Sequence, residues 1–282
     1  MTTQPTEYFR PEDWPSAFAA LNNPDRSSSL LTIPPRVPPE PFAGVDAVVD
    51  LSQLDLATIR QSDQRIELGA LAPLQDLAEA PWHAAPAIGL LAQAAHLAAH
   101  PGLRHLATVS GVLLAKDGPP EVLLALLALE ASVTLVGPGQ VRREAPLAEF
   151  LAGGAGGEVV VNVSFARPAA GAAGGLARVA RTPRDEAIVA AVAVLVVADG
   201  TCRQARLSLA GAGVRPQRVP AAEALLEGQP LSAERLSQAA EAAPEGLAFI
   251  SDLRGSAAYR HAMAAVVARR SLTAAWQGAT KA

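Results

Sequence analysis

Leu103-Arg104-His105-Leu106-Ala107-Thr108-Val109-Ser110-Gly111-Val112, running on through Ala115-Lys116-Asp117-Gly118-Pro119-Pro120, is the stretch on which the reading of this chain turns. A helical pattern is expected to end just before it, at Pro101-Gly102, and a long apolar segment, Val122 to Leu129, starts just after it. A small-residue turn between two such segments, carrying Thr, Ser, Gly and then Asp, is where an α/β fold would place backbone N–H groups against a bound anion. Whether this one does so is the functional question.

On the upstream side, Ala87 to His100 reads as a helix with Ile88, Leu91, Ala95 and Leu97 on its inner face, and Pro73 to Glu79 as a shorter one. Thr58-Ile59-Arg60-Gln61 and Arg65-Ile66-Glu67-Leu68 read as a hairpin, and Ala47 to Leu51 as a strand. Earlier still, Trp14, Phe18 and Leu21 recur at helical spacing before Asn22-Asn23-Pro24, after an entry strand. The stretch Leu30 to Pro41, with five prolines in the eight residues from Pro34, can be neither helix nor central strand.

On the downstream side, Glu121 to Leu129 is helical by composition. Ser132–Val136 and Gln140–Arg143 are expected to pair over Gly137-Pro138-Gly139, and Glu158 to Phe165 to form a strand. The Ala, Gly and Pro-rich stretch from Ala166 to Gly175 marks a domain boundary. The run Ala187 to Val197 fits a helix or a buried strand by pattern alone. Asp199-Gly200, followed by alternating residues from Cys202 to Leu209, decides for a hairpin. Helices are expected at about Ala221–Leu226, Ser232–Ala242 and Ser256–Ala275, with Ser232 as a cap.

At 282 residues the chain is long enough for two closely packed units. Half its residues are hydrophobic but only 4% are aromatic, so the core must be made of Ala, Leu and Val. A net charge of −4 with both signs scattered argues against a nucleic-acid or anionic-membrane surface. Cys202 is the only cysteine, so the chain forms no internal disulfide and cannot by itself hold an iron–sulfur cluster or structural zinc. A reducing, cytoplasmic home is expected. Residues 1–7 have neither the basic nor the apolar part of a signal peptide, and the run Ala187–Ala198 is shorter than the ~20 residues of a spanning helix, so no membrane insertion is expected.

Three motifs have simpler readings. His96 and His100 stand one helical turn apart, but the position of the metalloprotease carboxylate is Leu97, so no metal site is assigned. Gly153-Gly154-Ala155-Gly156-Gly157 precedes a strand, whereas a phosphate loop follows one, so it reads as a connector. Ser110-Gly111 lacks the rest of a hydrolase elbow, and no catalytic constellation can be argued.

Near the end stand Asp252-Leu253-Arg254-Gly255-Ser256-Ala257-Ala258-Tyr259-Arg260 and a helix ending in Arg269-Arg270-Ser271-Leu272. Arg181-Thr182-Pro183-Arg184-Asp185-Glu186-Ala187 precedes them, with Arg215-Pro216, Glu223 and Leu226-Glu227-Gly228 between. Ile66-Glu67-Leu68-Gly69-Ala70 and Pro119-Pro120-Glu121-Val122-Leu123-Leu124-Ala125-Leu126 lie in the first half. In this order and spacing the blocks resemble the flavoprotein (medium) subunit of the molybdenum hydroxylases, the carbon monoxide and xanthine dehydrogenase family.

The resemblance implies an α+β fold. A two-part FAD-binding domain of the PCMH/vanillyl-oxidase type would span residues 1–170, with subdomains of about 1–55 and 56–170. An antiparallel sheet with a helix bundle would span 171–282. It further implies FAD bound by two glycine loops. One, usually Ala-Gly-Gly-Thr-Asp-Leu, falls on Thr32-Ile33-Pro34-Pro35-Arg36-Val37, where prolines have no N–H to donate and Ile33 brings a Cβ. The other, usually Thr-Ile-Gly-Gly-Asn, falls on Thr108-Val109-Ser110-Gly111-Val112, with one glycine now Ser and the Asn now Val. Asp117 corresponds to the acidic residue that holds the ribose, at the end of a shortened loop, and Leu176 stands where the family often has a Tyr near the flavin.

The resemblance with these departures gives a medium subunit whose flavin site is degraded and whose role is structural or docking. Thr108, Ser110, Gly111 and Asp117 would be the residual FAD-binding residues, and the Thr32–Val37 loop non-binding. The alternative is a working FAD subunit that passes electrons from 2Fe-2S centres to an external acceptor. Either way the implied partners are a large molybdopterin subunit and a small iron–sulfur subunit in a hetero-oligomer, with those cofactors held by the partners alone.

Overall fold

A computed structural model describes residues 4–38, 42–82, 86–115, 117–183, 185–213 and 215–281. Residues 1–3 and 39–41 and the single positions Lys116 and Arg184, which figure in the sequence reading, lie outside them.

Three sheets follow one another along the chain. In the first, β1 (Glu7–Phe9) and β2 (Ser28–Leu30) flank β3 (Ala47–Val49), both parallel to it. The connection from β1 to β2 carries α1 (Trp14–Leu21), capped by Asp13, whose carboxylate accepts the Ser16 N–H at 2.8 Å. The expected entry strand, helix and β3 strand are all present, whereas β2 falls just before the prolines and had no sequence signal of its own.

The second sheet is antiparallel, in the order β4 (Ile59–Gln61), β5 (Arg65–Gly69), β8 (Val159–Ala166), β6 (Ser132–Val136), β7 (Arg142–Pro146). Its inward residues Ile66, Leu68, Val133, Leu135, Val163 and Phe165 pack against α2 (Leu74–Glu79), α3 (Gly89–Ala98) and α6 (Glu121–Ala128). Between α3 and α6 lie α4 (Pro101–Arg104) and α5 (Val109–Leu114), and α7 (Leu147–Gly153) joins β7 to β8. Alternation along β5 and β6 follows the half-solvated face of such a sheet.

The third sheet, β9 (Ala172–Val179), β10 (Val189–Ala198), β11 (Thr201–Ala210) and β12 (Gln217–Arg218), is antiparallel in the order β12-β11-β10-β9. It explains why the 187–197 run had no alternation. Ala190, Val192 and Val194 enter the core shared with α3 and α6, while Val189, Ala191, Ala193 and Leu195 face α9 (Ala233–Ala242) and α10 (Ala257–Ala279). A strand covered on both faces is apolar at every position. Asp199 and Gly200, with φ of 52° and 72°, make the expected tight turn. Ser232 and Ser256 cap α9 and α10, accepting the N–H groups of Arg235 and Tyr259. The remaining helix, α8, spans Pro220–Ala224.

Two readings of the sequence need correction. Pro101 opens a helix rather than closing one, because a proline has its φ preset for the first turn and loses no bond there. The residues read as a small-residue turn are themselves α5, nucleated by Thr108, which sits at its N-cap and accepts the Gly111 N–H on its side chain. In addition, β9 starts inside the stretch read as a linker. Gly174 and Gly175 let it pass between two helices: a Cβ on the first would lie 2.2 Å from Leu90 of α3, and on the second 2.1 Å from the Ser271 carbonyl of α10.

Candidate functional site: the paired loops and the seam between the domains

The two loops read from the sequence do meet. The Thr108 N–H donates to the Ile33 carbonyl at 3.0 Å, so the segment 32–38 lies across the start of α5 as a strap. Gly111 is the residue that lets it lie so close. A Cβ there would stand 2.0 Å from the Ile33 oxygen, 2.5 Å from its carbonyl carbon and 2.9 Å from the Pro34 nitrogen.

The N–H groups of the second loop are all used inside the protein. Thr108 gives to Ile33, Val109 to the Ala72 carbonyl at 3.1 Å, and Ser110 to the Ala70 carbonyl at 2.7 Å. Gly111 gives to the Thr108 hydroxyl at 3.1 Å and Val112 to the Thr108 carbonyl at 3.0 Å. An anion at this turn would have to break a protein hydrogen bond for every one it made, and each backbone bond is worth about 1 kcal/mol net. In the strap, Pro34 and Pro35 carry no N–H; those of Thr32, Ile33 and Arg36 have no protein acceptor among the described residues.

Of the four candidate residues, the structure brings two to a common cavity. Gly111 and Asp117 line a space of about 400 Å³ with Thr32, Pro34, Arg36 and Leu114. Ser110 is 4% exposed and faces a different gap, an apolar slit of about 10 Å³ between Leu31, Leu51, Leu71 and Val160. Thr108 lines neither and acts as the helix cap. Asp117 is exposed and makes no ion pair among the described residues.

A second cavity of about 160 Å³ adjoins the first, sharing Ala115 and Asp117, and reaches the C-terminal sheet. Its rim is built by residues of the terminal signature. Asp252 accepts the N–H groups of Arg254 and Gly255 at 2.8 and 3.1 Å and an Arg260 N–H at 2.6 Å; the Arg260 bond and the two backbone donors hold its carboxyl below the usual range. Arg260, 7% exposed, also donates to the Ile188 carbonyl at 2.6 Å. Arg254 grips both oxygens of Glu186, 2.6 and 2.7 Å away, and Arg36 of the strap reaches the same carboxylate at 3.0 Å. The signature thus organises loops and ties the strap to the C-terminal sheet.

Behind this rim lies Glu121, fully buried at the start of α6. Burial pushes its carboxyl up to about 7 against the pull of Arg178 on β9, whose Nε is 3.2 Å away but does not point its hydrogen at the carboxylate. Leu176, at the position of the family's Tyr, packs into the shared core. The sequence reading missed Glu121, Arg178, Glu186 and Arg36 as interacting groups. The available signal was a lone carboxylate at the head of an otherwise apolar helix.

At the far end of α6 the domains are joined again. Glu130, in a left-handed conformation with φ of 54°, is 2.7 Å from Arg206 and 2.9 Å from Arg218 and accepts from Gln204 at 3.1 Å. Glu223, 4% exposed, accepts the Leu207 N–H at 2.8 Å and pairs with Arg218, and Glu227 pairs with Arg206 at 2.6 Å.

Residues 5–165 match the family model of the FAD binding domain in molybdopterin dehydrogenase, more than half of the chain. The chain belongs to this family. Residues 176–275 match the CO dehydrogenase flavoprotein C-terminal domain. Among curated relatives, the 6-hydroxypseudooxynicotine dehydrogenase complex subunit alpha of Paenarthrobacter nicotinovorans is 32% identical over 81% of this chain and 79% of its own. The carbon monoxide dehydrogenase medium chain of Hydrogenophaga pseudoflava is 29% identical over 96% of each. The structure of carbon monoxide dehydrogenase from Hydrogenophaga pseudoflava, in the form lacking the Mo-pyranopterin moiety, covers 98% of this chain and 99% of the matched one with a TM-score of 0.87 at 30% identity. In domain order and extent the chain is a medium subunit of the molybdenum-hydroxylase type. Among the described residues no helix is long and apolar enough to cross a membrane, and no cluster of metal-ligating side chains is present.

Proposed function

We propose that this chain is the medium subunit of a molybdenum-hydroxylase-like complex in which the flavin-binding loops have become packing elements, leaving a structural or docking role. The observation that carries the reading is the use of every N–H from Thr108 to Val112 on protein acceptors, beside a strap in which Pro34 and Pro35 have none to offer. A diphosphate buried among such groups would lack the charge-assisted bonds, each worth ~1.5–3 kcal/mol, that hold it. The loops therefore do not fit FAD, and no electron transfer is routed through this subunit. Its partners are a large molybdopterin subunit and a small iron–sulfur subunit, which hold the remaining cofactors, in a reducing cytoplasmic compartment. Equilibrium titration of the purified chain with FAD, followed by flavin fluorescence, tests this. No saturation up to high micromolar FAD is expected, and a sub-micromolar Kd would overturn it.

One observation favours a second reading, a working FAD subunit. The cavity of about 400 Å³ holds Gly111 and Asp117 together with the strap's unengaged Thr32 and Arg36 N–H groups. On that reading G111A and D117A would abolish flavin retention.

A further inference from the structure

Among the described residues Glu121 is the least exposed charged side chain. It is fully buried where α6 meets β9, and neither carboxylate oxygen has a hydrogen bond among the described residues. A buried carboxylate without hydrogen bonds is unfavourable by several kcal/mol when charged, so it stays neutral or draws a cation closer. The cation at hand, Arg178, is shared between two acceptors. Its Nε lies 3.2 Å from Glu121 without being aimed at it, while its terminal nitrogen donates to the Asp185 carbonyl. Asp185 in turn closes the turn with Thr182, each N–H meeting the other residue at 3.1 Å. Next along this loop is Glu186, the shared anchor of Arg254 and the strap's Arg36.

We propose that Glu121 and Arg178 form a proton-sensitive catch on the backbone at Asp185 and Glu186. With Glu121 neutral, Arg178 holds the loop through the Asp185 carbonyl. When Glu121 ionises, Arg178 turns its guanidinium onto the carboxylate, the carbonyl loses its donor, and Glu186 and the strap it anchors loosen. The only covalent bond broken is the Glu121 O–H, whose proton passes to solvent while the electron pair stays on the carboxylate.

The other charges around Glu121 act consistently. Glu186 opposes its ionisation, and Arg254 offsets Glu186. The elements α5 and β10 bring no ionisable side chain to α6, α3 carries only the exposed His96, and α7 only the exposed Glu149. Arg206 of β11 and Arg218 of β12 serve Glu130 at the opposite end of the helix, and Arg203 of β11 is exposed and sits by Asp199. Burial sets the transition near neutrality, at about 7.

The catch does not depend on whether FAD binds. Hydrogen exchange of peptides covering 179–188, measured by mass spectrometry from pH 6 to 8.5 on the full chain, tests it, with E121Q as the reference at each pH. That reference cancels the intrinsic pH dependence of exchange and any histidine titration. A group with a pKa of about 7 is roughly a tenth ionised at pH 6 and nine-tenths at pH 8, so the wild-type to E121Q exchange ratio should rise up to about tenfold between them. R178Q should exchange fast in this loop at every pH, and it carries the test if E121Q does not fold. A flat wild-type to E121Q ratio, or protection of the loop in R178Q equal to wild type, would overturn the proposal.

Discussion

Replacing Gly111 with alanine separates two accounts of the paired loops by the sign of a stability change. Gly111 lies inside α5, where alanine is favoured over glycine by about 1 kcal/mol through helix propensity alone. Were the residue kept free to approach a ligand, the variant would therefore be as stable as wild type or more so. The structure predicts the reverse. A Cβ at this position stands 2.0 Å from the Ile33 oxygen, and the nearest atoms are all backbone, so the strap must move by about 1 Å or more to reach ordinary contact. That displacement costs about 1–3 kcal/mol as overpacking, and it strains the Thr108 to Ile33 hydrogen bond, worth about another 1 kcal/mol. After subtracting the propensity gain, the variant should be less stable by about 2 kcal/mol, a fall in Tm of roughly 4–8 °C for a chain of this size. Urea unfolding of G111A and wild type, with S110A as a neighbour control at under about 1 kcal/mol, checks it. A G111A midpoint equal to or above wild type would refute the idea that the strap presses on this carbon.

Other consequences follow from the seam. Because burial raises the carboxyl of Glu121 from its ordinary 4.5 to about 7, the folded protein holds a proton that the unfolded chain releases between those values. Stability is therefore highest below about pH 4.5 as far as this group is concerned, falls as pH rises to about 7, and is flat above it, a loss of about 3 kcal/mol that E121Q should abolish in urea midpoints taken from pH 5 to 8. At the other end of α6, E130A should cost about 1–2 kcal/mol, since the pairs with Arg206 and Arg218 are partly exposed. E130G should lose about 1 kcal/mol less than E130A, because glycine adopts the φ of 54° without strain; equal losses would show that strain is not stored there. On β9, G175A places a Cβ 2.1 Å from the Ser271 oxygen and 2.8 Å from Ala274, so a fall of about 1–3 kcal/mol in calorimetry is expected.

How much of this was legible in the sequence depended on range. The hairpin at Asp199-Gly200 and the caps Ser232 and Ser256 are local chemistry, and they stand where the residues place them. The 187–197 run was ambiguous because its second face is covered by α3 and α6 of the preceding domain, a contact that no local pattern encodes. The turn at 103–112 was misread for a related reason. α5 has only six residues with a glycine in the third, so nothing periodic marks it, and it is held by its cap and by carbonyls of Ala70, Ala72 and Ile33 that lie far off in sequence. In the strap Pro34 and Pro35 lack N–H groups by residue type alone, while those of Thr32, Ile33 and Arg36 have no protein acceptor among the described residues. The strap's tie through Arg36 has no local sequence signal, since Glu186 and Arg254 come from the other half of the chain.

Flavin content of the assembled complex tests the central claim most directly. The complex would be purified through this chain, denatured, and the released flavin measured by absorbance against the quantity of medium subunit. Flavin far below one per chain is expected, with iron and molybdopterin in the partner subunits. One FAD per medium chain would contradict it.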